Sequence, residues 1–255
     1  MSDEPFFCPG EPGWFVPQPA CAGPWDPTSL HGRVVAGLLA AEIEHAHGAD
    51  DLIPARLTVD LYRLPGFDPL RVAHEVVREG RRIRVINAEI FSGEKSVGRA
   101  SAQLLRVGTE PSGSVWKPQD WQVPQPDELA SDGDNAMGRM WQTRLISGSM
   151  GAAGARQLWM REVRELIEGR PLSAWQRVAL AADFASPYAN GGNAGLQFIN
   201  TDITLYLHRL PHSDWIGFEV IDHQAADGVA NGQCALFDTA GRIGTSTVAA
   251  LAQTR

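Results

Sequence analysis

Between His31 and His47 apolar side chains recur at helical spacing: Val34, Val35, Leu38, Leu39 and Ile43. Thr28 or Ser29 can cap that run, and the small residues Gly32, Ala36, Gly37, Ala40 and Ala41 fill much of the rest. A helix with so many small residues lets backbone or a ligand come close, which suits a helix wrapped by a sheet. From Arg56 to Arg106 the period changes to two. Leu57, Val59 and Leu61 share a face, and Leu70 to Glu79 alternates through Val72 and Val76. Gly80 turns the chain into Ile83, Val85, Ala88 and Phe91, Ser92-Gly93-Glu94-Lys95 forms a hairpin turn, and Ser96 to Leu105 is the last strand. Residues 1–27 are rich in Pro, Gly and aromatics and hold a short lead-in strand, Trp14-Phe15-Val16, before a turn-rich loop. A helix followed by an antiparallel meander is an α+β unit.

The pattern then occurs a second time. Leu57 to Pro65, LTVDLYRLP, is echoed by ITLYLHRLP ending at Pro211, 146 residues on. Thr58 matches Thr204, Leu61 matches Leu207, and Arg63-Leu64-Pro65 matches Arg209-Leu210-Pro211. The same offset sets Phe91 on Phe237, Gly98 on Gly244 and Val34-Val35-Ala36 on Leu180-Ala181-Ala182. A constant offset through a helix and a whole meander implies two fused copies of one fold. The second copy is expected to open with strands over Met140 to Ile146 and Ala155 to Leu166. Its helix spans Ser173 to Ala185, and its meander runs from Asn200 to Ala252 with a turn at Asp238-Thr239-Ala240-Gly241. Pro111 to Asp134 is non-periodic and reads as a connector, whose Trp116 and Trp121 are expected to dock on the surface. The expected division is residues 1–110, a connector over 111–134, and 135–255.

Composition narrows the function classes. A charge of −8 over 255 residues argues against a nucleic-acid groove or an anionic membrane surface, and leaves an anionic ligand only where basic residues are focused. Cys8, Cys21 and Cys234 show no metal-ligand spacing. Their odd number, and a start that has neither a basic nor an apolar leader segment, point to reduced thiols and a cytoplasmic location. No apolar run is long enough to span a bilayer. No serine nucleophile elbow, phosphate loop or zinc pattern is present, so neither a metal nor a cofactor is implied.

A few polar residues stand out. Asp183 sits in the apolar run Val178 to Phe184, where a carboxylate is costly to bury unless it is hydrogen-bonded or functional. It is a general base or water-orienting group, or else it ends the helix before Pro187. The corresponding residue of the first copy is Gly37, so the carboxylate belongs to one half alone. Asn200 stands before a strand, where Asn commonly serves as a turn residue. His31-Gly32 opens the first helix, whose free N–H groups can hold a carbonyl oxygen or a phosphate; a plain polar lead-in is the other reading. Arg63 and Arg209 recur together and suit a structural salt bridge or a phosphate contact.

HGRVVAGLLAAEIE, LWMREVRELIEG, LAADFASPYAN, NTDITLYLHRLP and FDTAGRIGTSTVAAL resemble the thioesterase-like family related to bacterial acyl-CoA thioesterase II. The resemblance covers nearly the whole chain and implies a double hotdog, in which two antiparallel sheets each wrap a helix. It implies an acyl-CoA or related thioester as substrate, in lipid metabolism, and a monomer or a homodimer of double hotdogs. It also implies hydrolysis by a water held by an Asp, a polar residue at the start of the next long strand, and a Gln. These fall on Asp183, on Asn200, and on the residue after Ser246-Thr247-Val248, which here is Ala249. The missing glutamine sets beside the hydrolase a second reading, an acyl or acyl-CoA binding protein without catalysis. Gln103 lies at the matching place in the first copy. A hydrophobic tunnel is expected between the two helices, lined in part by Ala36, Gly37 and Ala182, and His31 and Gly32 are further substrate-binding candidates. A hotdog hydratase is the weakest reading, since no His-and-acid pair lies on a helix and the loop that follows it.

Overall fold

The computed structural model describes residues 4–119, 121–131 and 141–253. The first copy contains β1 (Phe7–Pro9), β2 (Trp14–Pro17), α1 (Gly32–His47), β3 (Leu52–Asp60), β4 (Leu70–Glu79), β5 (Ile83–Ser92) and β6 (Lys95–Arg106). The second contains β7 (Gln142–Ser147), β8 (Gln157–Arg161), α2 (Ala174–Ala182), α3 (Ala185–Asn190) and the two short strands β9 (Gly191–Gly192) and β10 (Gly195–Leu196). It ends with β11 (Phe198–Asn200), β12 (Asp202–Leu207), β13 (Ile216–Ala226), β14 (Val229–Asp238) and β15 (Gly241–Ala252).

The strand registers repeat with the sequence. Thr58 faces Ser101 and Thr204 faces Thr247. Arg71 faces Phe91 and Gly217 faces Phe237; Ile90 faces Gly98 and Leu236 faces Gly244. A bulge follows Ile90 in one copy and Leu236 in the other. A Cβ on Gly244 would overlap the Tyr206 carbonyl oxygen, so the crowded strand beside that bulge needs glycine.

The two sheets are not separate: β3 pairs antiparallel with β12, giving one continuous sheet of 13 strands. At that seam Thr58 faces its own counterpart Thr204, with their hydroxyls 3.4 Å apart. In an antiparallel pair a position can face its own repeat only where a pseudo-twofold axis passes. The axis therefore runs between these two threonines. Pairing the two edges also satisfies backbone groups that either copy alone would leave exposed.

The helices form the centre. Val34, Leu38, Leu39 and Ile43 of α1 are fully buried, and α1 packs on β4, β5 and β6 and on α2. Burial on all sides accounts for its small residues. A Cβ at Gly37 would come within 2.7 Å of Leu180 Cδ2, so Gly37 is where α2 rests on α1. Replacing Gly37 with Leu is expected to cost about 1–3 kcal/mol of folding stability by overpacking this crossing. Denaturant unfolding measures it, and an unchanged midpoint would contradict the packing described.

Several boundaries differ from the expectation. The strand expected over Ala155 to Leu166 stops at Arg161, because the Glu162 carboxylate takes the N–H groups of Val163 and Arg164, both at 2.9 Å, and turns the chain. The second helix is broken after Ala182, and α3 follows from Ala185. Met140 and residues 120 and 132–134, parts of the expected strand and connector, lie outside the described residues. Trp121 does dock: it stacks on Phe237 at 4.0 Å and meets Trp159 edge-on. Trp116 does not; it is 86% exposed.

Candidate active site

Asp183 is the residue at which α2 ends, and the break that follows aims its side chain toward the start of α1. His31 caps α1 and is pinned there by its own N–H to the Cys21 carbonyl at 2.9 Å, while the Leu30 N–H bonds the Pro65 carbonyl at 2.8 Å. His31 Nδ1 lies 3.0 Å from Asp183 Oδ2 and 3.3 Å from the Arg33 N–H. One nitrogen cannot serve both contacts with one proton. An ionised carboxylate only accepts, so the shorter contact assigns the proton to Nδ1, which donates to Asp183. The other carboxylate oxygen, Oδ1, accepts from Asn200 Nδ2 at 2.9 Å. That contact also fixes the orientation of the Asn200 amide, whose nitrogen reaches the Asp202 carbonyl at 3.3 Å.

Asp183 is 3% exposed and His31 9% exposed. Burial pushes the Asp183 carboxyl up. The hydrogen bond and charge at His31, the hydrogen bond from Asn200 and the Arg33 charge outweigh burial, and the net shift is below the usual carboxylate range. The carboxylate also faces the positive end of α1. Gly32 makes that approach possible: a Cβ there would sit 3.1 and 3.2 Å from the two Asp183 oxygens. Arg33 is itself buried, paired with Glu162 at 2.5 Å and stacked over Trp141, which anchors the start of α1 to the second copy.

Asp183, Asn200, His31 and Gly32 line one cavity of about 720 Å³. Trp25, Val35, Leu61, Leu196, Ile199 and Leu251 give it an apolar wall. This size and mixture suit a small-molecule site with a few converging polar groups. Ala36, Gly37 and Ala182 are not in its lining. The expectation for Gly37 is corrected: it is a helix-packing residue beneath Leu180, and the cavity opens beside the seam of the sheet instead of running between the helices.

Ala249 is also outside the lining. Its N–H donates to Asp202 Oδ1 at 2.6 Å, and its carbonyl accepts from the Thr201 N–H at 2.9 Å. The polar group beside this stretch of β15 is therefore the Asp202 carboxylate. Burial holds its pKa above the usual value, and the nearby Asp60 adds to this against the Ala249 bond. The place related to it by the repeat offset holds a different set of residues. Gly37 stands for Asp183, Gln103 faces Arg56 and Val85 within the sheet, and Arg177, which matches His31, is tied to the Glu162 carbonyl and Asp214.

A His-and-acid pair was not expected, because none lies on a single helix and its loop. The pair exists, and it is built across the two copies. The signal for it was the duplication: a twofold relation between adjacent helices sets the start of one against the end of the other.

Fold and site together define a double-hotdog protein with one polar, apolar-walled pocket made by both halves. A family model described as the acyl-CoA thioesterase N-terminal domain matches residues 21–105, and one described as the acyl-CoA thioesterase C-terminal domain matches residues 118–251. The chain belongs to this acyl-CoA thioesterase family. Among solved structures it is similar to a conserved hot dog fold protein from Alicyclobacillus acidocaldarius, with TM-score 0.76 and 16% identity over 97% of this chain and 96% of that one. It is similar to the tesB protein of Mycobacterium avium subspecies paratuberculosis, with TM-score 0.72 and 16% identity over 97% and 96%. It is also similar to the acyl-CoA thioesterase II TesB2 of Mycobacterium marinum, with TM-score 0.68 and 15% identity over 98% and 96%. At these identities the likeness concerns the fold. No curated protein is similar enough in sequence to match. Among the described residues no helix is long and apolar enough to cross a membrane.

Proposed function

We propose that this protein hydrolyses acyl-CoA thioesters with a water activated at Asp183. The observation that carries the reading is the buried, ionised Asp183 carboxylate, held by one donor from each copy at the wall of an apolar cavity. In this reading the water oxygen attacks the thioester carbon, and its proton passes to Asp183. His31 and Asn200 keep the carboxylate aimed. The Gly32 N–H, at the positive head of α1 and in the cavity lining, faces the oxygen on which charge develops. Collapse of the tetrahedral intermediate breaks the carbon–sulfur bond, and the proton on Asp183 returns to the sulfur. The products are a carboxylic acid and free CoA. A carboxylate held below its usual pKa is a weak base, but it is ionised in every molecule at neutral pH. The leaving thiolate is stable enough to need little help.

The binding-protein reading keeps one observation in its favour: Ala249 offers only backbone groups where the family resemblance calls for a glutamine side chain. The cross-copy His31–Asp183 pair removes the ground on which a hydratase was set last, and family membership favours the thioester reaction over it. A thiol-release assay over a series of acyl-CoA chain lengths, with binding followed in parallel, tests the proposal. Thiol release with formation of the free acid is expected. Binding without release would favour the binding protein.

A further inference from the structure

Arg63 and Arg209 occupy the same position in the two copies and precede the same Leu-Pro, but the fold treats them differently. Two nitrogens of Arg209 donate to the two carboxylate oxygens of Asp238 at 2.6 and 2.7 Å, and one also reaches the Gly241 carbonyl at 3.1 Å. Asp238 opens the turn between β14 and β15 and is 1% exposed. The residue that opens the matching turn, between β5 and β6, is Ser92. Serine carries no charge, so the first copy lacks the acid that locks the arginine in the second.

Arg63 is exposed, makes no hydrogen bond or ion pair among the described residues, and lines the cavity that holds Asp183. Arg99, also in the lining, is already paired with Asp60 at 2.5 Å. A chain with 30 acidic and 22 basic residues thus keeps an uncompensated guanidinium at the rim of its candidate active site. The interior of that cavity has the opposite character, with the carboxylates of Asp183 and Asp202 in its wall.

We propose that Arg63 docks a phosphate of the carrier to which the acyl group is attached. A guanidinium presents a planar fork of donors that matches phosphate oxygens. The acids further in repel the same anion, so the carrier is oriented: phosphate at the rim, thioester inward toward Asp183. The ligand class is a phosphorylated pantetheine thioester. That chemistry is shared by CoA and by the prosthetic arm of an acyl carrier protein. The inference rests on the thioesterase reading for its substrate, but its binding test needs no hydrolysis.

The experiment compares wild type, Arg63→Ala and Arg63→Lys on three thioesters of one acyl group: acyl-CoA, acyl-4′-phosphopantetheine and acyl-N-acetylcysteamine, which has no phosphate. Binding of unacylated CoA is measured in parallel. Arg63→Ala is expected to lower kcat/KM for acyl-CoA about tenfold, mainly through KM, and to weaken CoA binding similarly. Arg63→Lys should restore part of this, and the N-acetylcysteamine thioester should be unaffected. Added salt should raise KM for acyl-CoA in wild type and much less in Arg63→Ala. A loss that persists on the phosphopantetheine thioester identifies the phosphate common to both carriers; a loss confined to CoA identifies the nucleotide phosphates. Equal effects on all three thioesters, or none on any with CoA binding unchanged, would overturn the proposal. If no thioester is hydrolysed by wild type, the hydrolase reading fails, and the CoA-binding comparison still decides Arg63.

Discussion

Asp183→Asn is expected to lower the turnover of acyl-CoA by about three orders of magnitude while leaving its binding nearly unchanged. The substitution keeps the shape of the side chain, so α2 still ends where it does and the cavity keeps its wall. What it removes is the charge that His31 and Asn200 converge on, at 3.0 and 2.9 Å. An amide cannot take the proton of the attacking water. Positioned general-base catalysis contributes about 10²–10⁴-fold, which sets the size of the loss. The fall should appear in kcat and in kcat/KM alike, the sign of an interaction made in the transition state. A variant that turned over at the wild-type rate would exclude Asp183 as the water-activating group.

The second large effect is expected at His31. Its ring acts through Asp183, so it is a positioning residue, and His31→Gln should cost about a hundredfold in kcat with a smaller change in KM. The pH profile separates this role from mere scaffolding. The hydrogen bond and charge at His31 are the largest of the influences that hold Asp183 below its usual pKa. Gln carries no charge, so with burial unchanged the Asp183 pKa rises. Activity that needs the carboxylate ionised is lost as pH falls through that pKa. The acid limb of the kcat/KM profile should therefore move to higher pH in His31→Gln. A limb that stays in place while the rate falls would mean that His31 does not work through Asp183.

Much of this molecule was legible in the sequence because each copy obeys local rules. The apolar period of α1 and the alternation of β3 to β6 mark elements that bury one stripe or one face, and the constant offset carried the second copy along with the first. Contacts governed by no local period were hidden. The β3–β12 seam joins two edges, and an edge pairing leaves no trace in alternation. The break after Ala182 interrupts a continuous apolar run, and tighter bonds, from the Phe184 N–H to the Ala181 carbonyl and from the Ser186 N–H to the Asp183 carbonyl, carry the chain through it. Gly37 was misplaced for a related reason. A glycine in a small-residue helix signals close approach, but only the packing tells whether a ligand or, as here, Leu180 comes close. The candidate residues Asp183 and Asn200 came from the family resemblance; their meeting with His31 came from the twofold relation between the copies. The different fates of Arg63 and Arg209 depended on a single residue at the far end of a hairpin, Ser92 against Asp238.

The central claim is that a water held at Asp183 attacks the thioester directly, and an oxygen-isotope experiment tests it most closely. A single turnover is run with enzyme in excess over acyl-CoA in ¹⁸O-labelled water, and the acid product is weighed by mass spectrometry. The account predicts one ¹⁸O atom in the acid formed in that first turnover and no label in the protein. Unlabelled acid together with ¹⁸O incorporated at Asp183 would show that the carboxylate itself had attacked the acyl group, and would contradict the account.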